Sequence, residues 1–312
     1  QVGIYNPLGQ QYTPVDKDQV MYYKEDKAGQ ILQEGINEAG GMASWIAAAT
    51  SYSTSNRIMI PFYVYYSMFG FQRIGDLAWA AGDMQARGFL LGGTSGRTTL
   101  NGEGLQHEDG HSHILAGTIP NCVSYDPTFA HEVGVIMQHG LKRMVEKQDN
   151  VYYYITLLNE NYAMPGLTPG TEEQIIKGMY LLQKGEGDKK SPRVNLLGSG
   201  SILRESVAAR ELLAKDWGVA ANVWSCPSFN ELARDGQSAE RHNLLHPTGT
   251  FRNIRRFAFV VHPLSQDFIR KGFPIPKATP EAISRARGWA RIWAPISLPT
   301  LEGPSLWQQL GT

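Results

Sequence analysis

The sequence has little cysteine, with Cys122 and Cys226 as the two in a chain of 312 residues. Two cysteines so far apart form neither a disulfide framework nor a CxxC motif, which excludes the disulfide-rich secreted class and the common dithiol and zinc motifs. Scarce cysteine is typical of a reducing compartment. We therefore expect a cytoplasmic location.

Charge of one sign is not in excess, because 29 lysine and arginine residues are matched by 29 aspartate and glutamate residues. A balanced chain offers no basic field to nucleic acid or to an anionic membrane. No apolar run approaches the roughly 18 residues of a membrane span. The start, Gln1 to Asn6, has neither an initiator methionine nor a signal peptide's apolar run. We expect a fragment or a processed chain that binds neither nucleic acid nor membranes.

Runs of β-branched and aromatic residues alternate with helical patterns along most of the chain. The run 58–66 predicts a buried strand, and a helix from Ser67 to about Gly88 follows it. Further strands are predicted at 89–93, 118–125 and 151–158. This alternation predicts an α/β fold with a parallel sheet flanked by helices.

A second unit of the same kind begins near residue 194, where a strand is followed by a tight turn, a helix over 202–216 and another strand. Gly198 and Gly200 match the start of a phosphate-binding fingerprint, but Leu203 stands where the third glycine belongs. A packing turn between strand and helix is therefore favoured over a nucleotide site.

A helix predicted over 27–50 carries a candidate acid, Glu38. Leu32 and Ile36 begin an apolar row at steps of three and four residues, and Glu34 lies four residues before Glu38. A carboxylate held against apolar surface can hold or transfer a proton. Spacing alone also fits an ordinary solvated glutamate.

The stretch 98–113 is the densest group of titratable residues in the chain. It contains three histidines and three acids among three glycines, which is typical of a functional loop held by a scaffold. His107, His111 and His113 form an H-x3-H-x-H pattern, but Gly104 and Gly110 disfavour the continuous helix that a metal site would need. Acid–base chemistry by His107 with neighbouring carboxylates and a plain solvated loop stay open as alternatives.

Three long stretches closely resemble the homodimeric bacterial pyruvate dehydrogenase E1 family, whose members depend on thiamine diphosphate. They are Gly29–Glu38, Pro61–Gln72 and Gly92–His111. The likeness runs almost continuously from Asn6 to Pro247 and includes Asn159–Tyr162 and Phe229–Gly236. It implies a transketolase-like pyrimidine-binding domain followed by part of a transketolase C-terminal α/β domain.

The resemblance implies a cofactor site built from four residues. Glu38 matches the glutamate that hydrogen-bonds N1′ of the aminopyrimidine ring, and Phe69 matches the ring that stacks on it. Tyr66 lies beside Phe69, and Ile36 is a further cofactor contact. No metal ligand is expected here, since Mg²⁺ and the diphosphate are bound mainly by a domain that would precede residue 1.

The resemblance also implies the catalytic residues Glu38, His107 and Glu103. His107 matches the histidine that handles the substrate and the lipoyl acceptor, and Glu103 neighbours it. Residues 8–24 match a mobile loop that closes over the site. Closure would exclude water from the reacting groups.

Four regions are expected along the chain. Residues 1–166 would form the N-terminally truncated pyrimidine-binding domain, 167–191 a linker, and 192–247 the start of the C-terminal domain. Residues 248–312 have poor periodicity and are predicted to be a frame-shifted or disordered tail.

The expected activity is that of pyruvate dehydrogenase (acetyl-transferring). The full enzyme would decarboxylate pyruvate oxidatively and acetylate the lipoyl group of the E2 acetyltransferase. A homodimer, E2 with its lipoyl domain, and pyruvate are the implied partners. A thiamine diphosphate enzyme for another 2-oxo acid, or a fragment that only dimerises, are the alternatives.

Overall fold

The computed structural model describes residues 2–15, 23–93, 95, 105–188 and 191–247. Its helices are α1 (Glu38–Ala49), α2 (Ser51–Thr54), α3 (Ser67–Asp83), α4 (Ser112–Thr118), α5 (Ala130–Leu141), α6 (Glu172–Ile176), α7 (Gly200–Trp217) and α8 (Phe229–Leu245), with a 3₁₀ turn at Leu105–His107 and a π-helical turn at Lys142–Glu146. Its strands are β1 (Ile4–Tyr5), β2 (Glu25–Asp26), β3 (Phe62–Tyr66), β4 (Phe89–Gly93), β5 (Cys122–Tyr125), β6 (Tyr152–Thr156), β7 (Tyr180–Gln183), β8 (Arg193–Gly198) and β9 (Ala220–Ser225).

The first sheet is fully parallel, in the order β3-β4-β6-β5. All five residues of β6 are buried, as expected for a central strand covered on both faces. Tyr152 and Tyr154 pack with Met42 and Trp45 of α1, whereas Tyr153 packs with residues of α5 on the opposite face. Alternate residues of one strand therefore fill two separate cores.

The second sheet has the order β7-β9-β8, with β7 antiparallel and β8 parallel to β9. Gly198 ends β8, and a Cβ atom there would lie 2.5 Å from the Cα of Leu203. This close approach fits the packing turn that the sequence favoured. Helix α6 and strand β7 lie within 167–191, the range predicted as a linker. Tyr180 of β7 is buried and pairs with Ser225 of β9, so this strand is part of the second sheet.

Backbone and side-chain hydrogen bonds join the two sheets at the carboxyl end of β5. The Asp126 amide donates to the Pro227 carbonyl at 2.7 Å, and the Gly200 amide donates to the Asp126 carbonyl at 3.1 Å. The Ser228 hydroxyl donates to the Ser124 carbonyl at 2.7 Å. The described residues of both sheets lie in one compact unit.

Helix α1 is shorter than the predicted helix 27–50, which was wrong over residues 27–37. Gly35 has a left-handed φ of +68°, and the Asn37 side chain caps the helix by accepting a hydrogen bond from the Gly40 amide at 3.1 Å. Leu32 and Ile36 are exposed, so their helical spacing does not reflect a buried face. The helix therefore begins at Glu38 itself.

Two further predictions concern parts of the chain that the structure does not describe. Residues 16–22 of the predicted mobile loop and the tail from residue 248 lie outside the described residues. Among the described residues, no helix is both long and apolar enough to cross a membrane.

Candidate functional site

Three aromatic rings meet where β3 ends and α3 begins. Tyr66 is the last residue of β3, Phe69 lies in the first turn of α3, and His107 ends the 3₁₀ turn. The ring centroids are 5.6 Å apart for Tyr66 and Phe69, 5.5 Å for Tyr66 and His107, and 5.4 Å for Phe69 and His107. All three side chains are half-buried. The structure thus joins the predicted histidine to both predicted aromatic cofactor contacts.

Glu38 reaches this cluster through an arginine. Its carboxylate accepts from the Arg73 guanidinium, with Nη1 and Oε1 2.5 Å apart, and the Arg73 Cζ lies 4.8 Å from the Phe69 ring centroid. The Glu38 side chain is 16% exposed and that of Arg73 is 48% exposed. Because Glu38 is the first residue of α1, the helix dipole also favours its negative charge.

Tyr63 is bonded to the backbone of Glu38. Its hydroxyl donates to the Glu38 carbonyl at 3.2 Å. Burial and, to a smaller extent, the nearby charges of Glu38 and Glu34 together raise the pKa of Tyr63 to about 12. The phenol therefore stays protonated near neutral pH and remains a hydrogen-bond donor.

The end of the histidine-rich stretch is anchored to α3. The buried Asp109 carboxylate accepts from the amides of His111 and Ser112 at 3.1 Å each, and so starts α4. The Ser112 hydroxyl donates to the Ser67 carbonyl at 3.0 Å. The Nε2 atom of His111 lies 2.9 Å from the side-chain Nε2 atom of Gln72. These contacts fix the segment that follows His107.

The three histidines of the stretch have different surroundings. His107 contacts Tyr66 and Phe69, whereas His113 has its Nε2 3.1 Å from the Thr156 hydroxyl. That hydroxyl donates to the Asp126 carboxylate at 2.6 Å. Among the described residues, no three His, Cys, Asp or Glu side chains are grouped to hold a metal ion.

Ile36, a predicted cofactor contact, stands apart from this cluster. Ile36 is described and is 96% exposed, so no described side chain covers it. Glu103 lies outside the described residues. Sequence reasoning missed Arg73, although its position four residues after Phe69 on α3 was a signal, because residues four apart share a helix face.

The fold places the chain in the transketolase-like class of α/β proteins. Solved transketolases match it from Leishmania mexicana (TM-score 0.52, 16% identity, 70% of this chain and 29% of that chain) and from Pichia stipitis in complex with sedoheptulose 7-phosphate (TM-score 0.51, 17% identity, 66% and 28%). Identities this low show the fold alone. They confirm the predicted fold class.

The chain belongs to the pyruvate dehydrogenase E1 component family. The model of that family's middle domain matches residues 1–165, and the model of the transketolase-like C-terminal domain matches residues 178–256. The pyruvate dehydrogenase E1 components of Escherichia coli K12 and Cupriavidus necator are 70% and 65% identical over 253 and 252 residues, 81% of this chain. The chain spans 28% of the length of each of these relatives.

Proposed function

We propose that this chain forms the pyrimidine-binding half of a thiamine diphosphate site in the E1 component of a pyruvate dehydrogenase complex. There it serves the oxidative decarboxylation of pyruvate and the acetylation of the E2 lipoyl group. The observation that carries the proposal is the contact chain from Glu38 through Arg73 and Phe69 to His107. A carboxylate, an aromatic ring and a histidine thus converge at the carboxyl end of parallel strands, where α/β sheets bind ligands.

The residues present fit the aminopyrimidine ring. The Glu38 carboxylate can hold a proton at N1′ of that ring, and Arg73 orients the carboxylate by a charge-assisted hydrogen bond. Phe69 and Tyr66 offer half-buried aromatic surface for stacking. When bound, thiamine diphosphate supplies a carbon nucleophile and an electron sink for decarboxylation of a 2-oxo acid.

His107 is the acid–base candidate for the substrate side. Its ring is held edge-on by Tyr66 and Phe69, which restricts its orientation while leaving it half-exposed. A positioned imidazole can donate or accept a proton near neutral pH. Glu103 as its neighbour and Ile36 as a cofactor contact remain proposals from the family resemblance.

The proposal includes the partners of the family. A homodimer, E2 with its lipoyl domain, pyruvate and Mg²⁺ are inferred from the E1 relatives. A bacterial cytoplasmic location is supported by the bacterial relatives and by two cysteines that are both buried and unpaired.

Calorimetric titration of the chain with thiamine diphosphate and Mg²⁺ tests the proposal. We expect Glu38→Gln to weaken binding about 10- to 100-fold, since a hydrogen bond to a charged group contributes about 1.5–3 kcal/mol. The matched control is Glu34→Gln, because Glu34 is exposed and bonds the Ser44 hydroxyl instead. Equal binding by both variants would contradict the proposal.

A further inference from the structure

The stretch Phe229–Gly236, which forms the beginning of helix α8, has not been given a role in the site. Helix α8 follows the last strand of the second sheet, yet it packs along β5, an edge strand of the first sheet. Its N-cap residue, Ser228, donates to the Ser124 carbonyl of β5 at 2.7 Å and accepts from the Glu231 amide at 3.0 Å. A helix that follows the second sheet is thus fixed to the first sheet from its N-cap onward.

Asn230, the second residue of α8, contacts the beginning of α4. Its side-chain nitrogen donates to the His113 carbonyl at 2.7 Å and to the Ser124 hydroxyl at 2.6 Å. A side-chain amide carries two hydrogens, so both donors of Asn230 are used. A Cβ atom on Gly117 would lie 3.1 Å from the same nitrogen, so α4 and this side chain are in close contact.

Arg234, one turn further along α8, contacts the end of α4. Its Nη2 donates to the Cys122 carbonyl at 2.6 Å and to the Ile119 carbonyl at 3.3 Å. Ile119 is the C-cap of α4, where carbonyl groups lack partners within the helix. The Glu231 carboxylate lies beside the guanidinium, with Oε1 3.5 Å from Nε. Asn230 and Arg234 therefore bind the two ends of α4, and we call this pair the α4 clamp.

Helix α4 depends on such contacts because it is short. It has seven residues, and helices of fewer than about 12 residues are marginal on their own. Helix α3 supplies further contacts, since its first residue, Ser67, accepts from the Ser112 hydroxyl at 3.0 Å. The Asn121 side chain donates to the Gly82 carbonyl near the end of α3 at 2.9 Å. Helix α4 is thus bound by α3 and by the α4 clamp.

The beginning of α4 is also the anchor of the histidine-rich segment. The amides of His111 and Ser112 donate to the buried Asp109 carboxylate. A single residue, Glu108, separates Asp109 from His107. Because the backbone here is continuous and anchored at Asp109, a displacement of the first turn of α4 moves the chain directly after His107.

We propose that Asn230 and Arg234 are positioning residues for His107 that act through α4. The helix after the second sheet thereby sets the orientation of a histidine in the first domain. The role of His107 toward substrate comes from the proposed function, on which this inference rests. Glu38 is positioned by α1 and Arg73 instead, so the α4 clamp acts on the substrate side of the site and not on the cofactor side.

NMR of the 312-residue chain tests the proposal through the ring of His107. The rings of Tyr66 and Phe69, with centroids 5.5 and 5.4 Å away, displace the resonances of the His107 ring protons from those of an exposed histidine. Asn230→Asp keeps the shape of the side chain, but it removes both donors and places a carboxylate against the His113 carbonyl. This variant therefore breaks the contact with the smallest change in packing.

We expect the His107 resonances of Asn230→Asp to move toward those of an exposed histidine. The amides of His111 and Ser112 should exchange with solvent about fivefold faster or more, the effect of losing one hydrogen bond. The Nε resonance of Arg73, which reports its pair with Glu38, should stay fixed, because a general loosening of the fold would move it as well.

Two further variants make the test specific. Gln237→Glu is the matched control, because it makes the same amide-to-acid change at an exposed residue of α8. Arg234→Lys keeps the positive charge but loses the planar fork of donors. It should move the His107 resonances and speed exchange of the Ile119 and Cys122 amides, which bond within the end of α4.

His107 resonances that stay fixed in both Asn230→Asp and Arg234→Lys would overturn the proposal. Equal displacement in Gln237→Glu, or an equal displacement at Arg73, would overturn it too, because the effect would then not pass through α4. The NMR measurement needs no cofactor. If His107 responds while Glu38→Gln and Glu34→Gln bind thiamine diphosphate equally, the proposed function fails and the positioning of His107 stands.

Discussion

Arg73 connects the two halves of the proposed cofactor site. Its guanidinium binds the Glu38 carboxylate and lies over the Phe69 ring, so one side chain sets the position of both. Because the Arg73 side chain is 48% exposed, the pair itself adds little to folding stability. Arg73 therefore acts by orienting the two groups that would contact a ligand.

Replacement of Arg73 should therefore separate binding from stability. We expect Arg73→Met to weaken thiamine diphosphate binding severalfold, because both the carboxylate and the ring lose their restraint. The free energy of unfolding, measured by urea titration, should change by less than about 1 kcal/mol, as for other exposed ion pairs. Calorimetry and urea titration measure the two effects. Unchanged affinity in Arg73→Met would show that the arginine has no positioning role.

Helix α3 is the element on which the site depends, and two of its glycines, Gly70 and Gly75, have different surroundings. A Cβ atom on Gly70 would lie 1.9 Å from the Tyr65 ring, so only glycine allows α3 to pack this closely on β3. A Cβ atom on Gly75 would meet nothing within 4 Å. The close contact at Gly70 holds the first turn, and hence Phe69, against the end of the strand.

Alanine at these two positions should change stability in opposite directions. We expect Gly70→Ala to destabilise the chain by about 1–3 kcal/mol through overpacking. Gly75→Ala should stabilise it by roughly 0.5–1 kcal/mol, since alanine has the higher helix propensity. Thermal and urea unfolding of both variants measure the difference. Equal effects at the two glycines would contradict the packing of α3 on β3.

Sequence reasoning located the strands better than the helix ends. The predicted runs 58–66, 89–93 and 151–158 contain β3, β4 and β6. The runs at β4 and β6 are apolar because these parallel strands are buried. The prediction that 58–66 is buried was wrong, because β3 lies at the edge of the sheet and exposes Phe62 and Val64. The start of α1 was missed because the spacing of Leu32 and Ile36 continues a helical period in exposed, non-helical chain.

The sequence predicted only those residues of the candidate site that lie in local motifs. Glu38, Tyr66, Phe69 and His107 lie in stretches that resemble the family, and the structure brings all four together through Arg73. The positioning role of Asn230 had no such signal, because its hydrogen-bond acceptors lie 117 and 106 residues earlier in the chain. Such a role is recognised only when those distant partners are known.

In the molecule as a whole, strand β3 lies at one edge of the first sheet and exposes apolar side chains. Phe62 and Val64 are 50% and 63% exposed, and Ile58 and Met59 just before the strand are also exposed. Contiguous apolar surface of this kind marks interaction sites. Together with the homodimer inferred from the family, it suggests that β3 lies at the contact between two copies.

A charge on this strand should therefore disrupt self-association. We expect the chain to sediment as a dimer and Val64→Asp to sediment as a monomer, because an aspartate would be buried without a partner. Leu212→Asp is the matched control, since Leu212 is similarly exposed, at 58%, but lies on α7. A dimer that survives Val64→Asp in sedimentation velocity would place the contact elsewhere.

We propose that the pyrimidine half of a thiamine diphosphate site is formed by Glu38, Arg73, Phe69, Tyr66 and His107. The most direct measurement is a crystal structure of the chain with thiamine diphosphate and Mg²⁺ bound. We expect the aminopyrimidine ring to lie against Phe69, with N1′ within hydrogen-bond distance of the Glu38 carboxylate. A cofactor bound away from α1 and α3, with Glu38 contacting Arg73 alone, would contradict it.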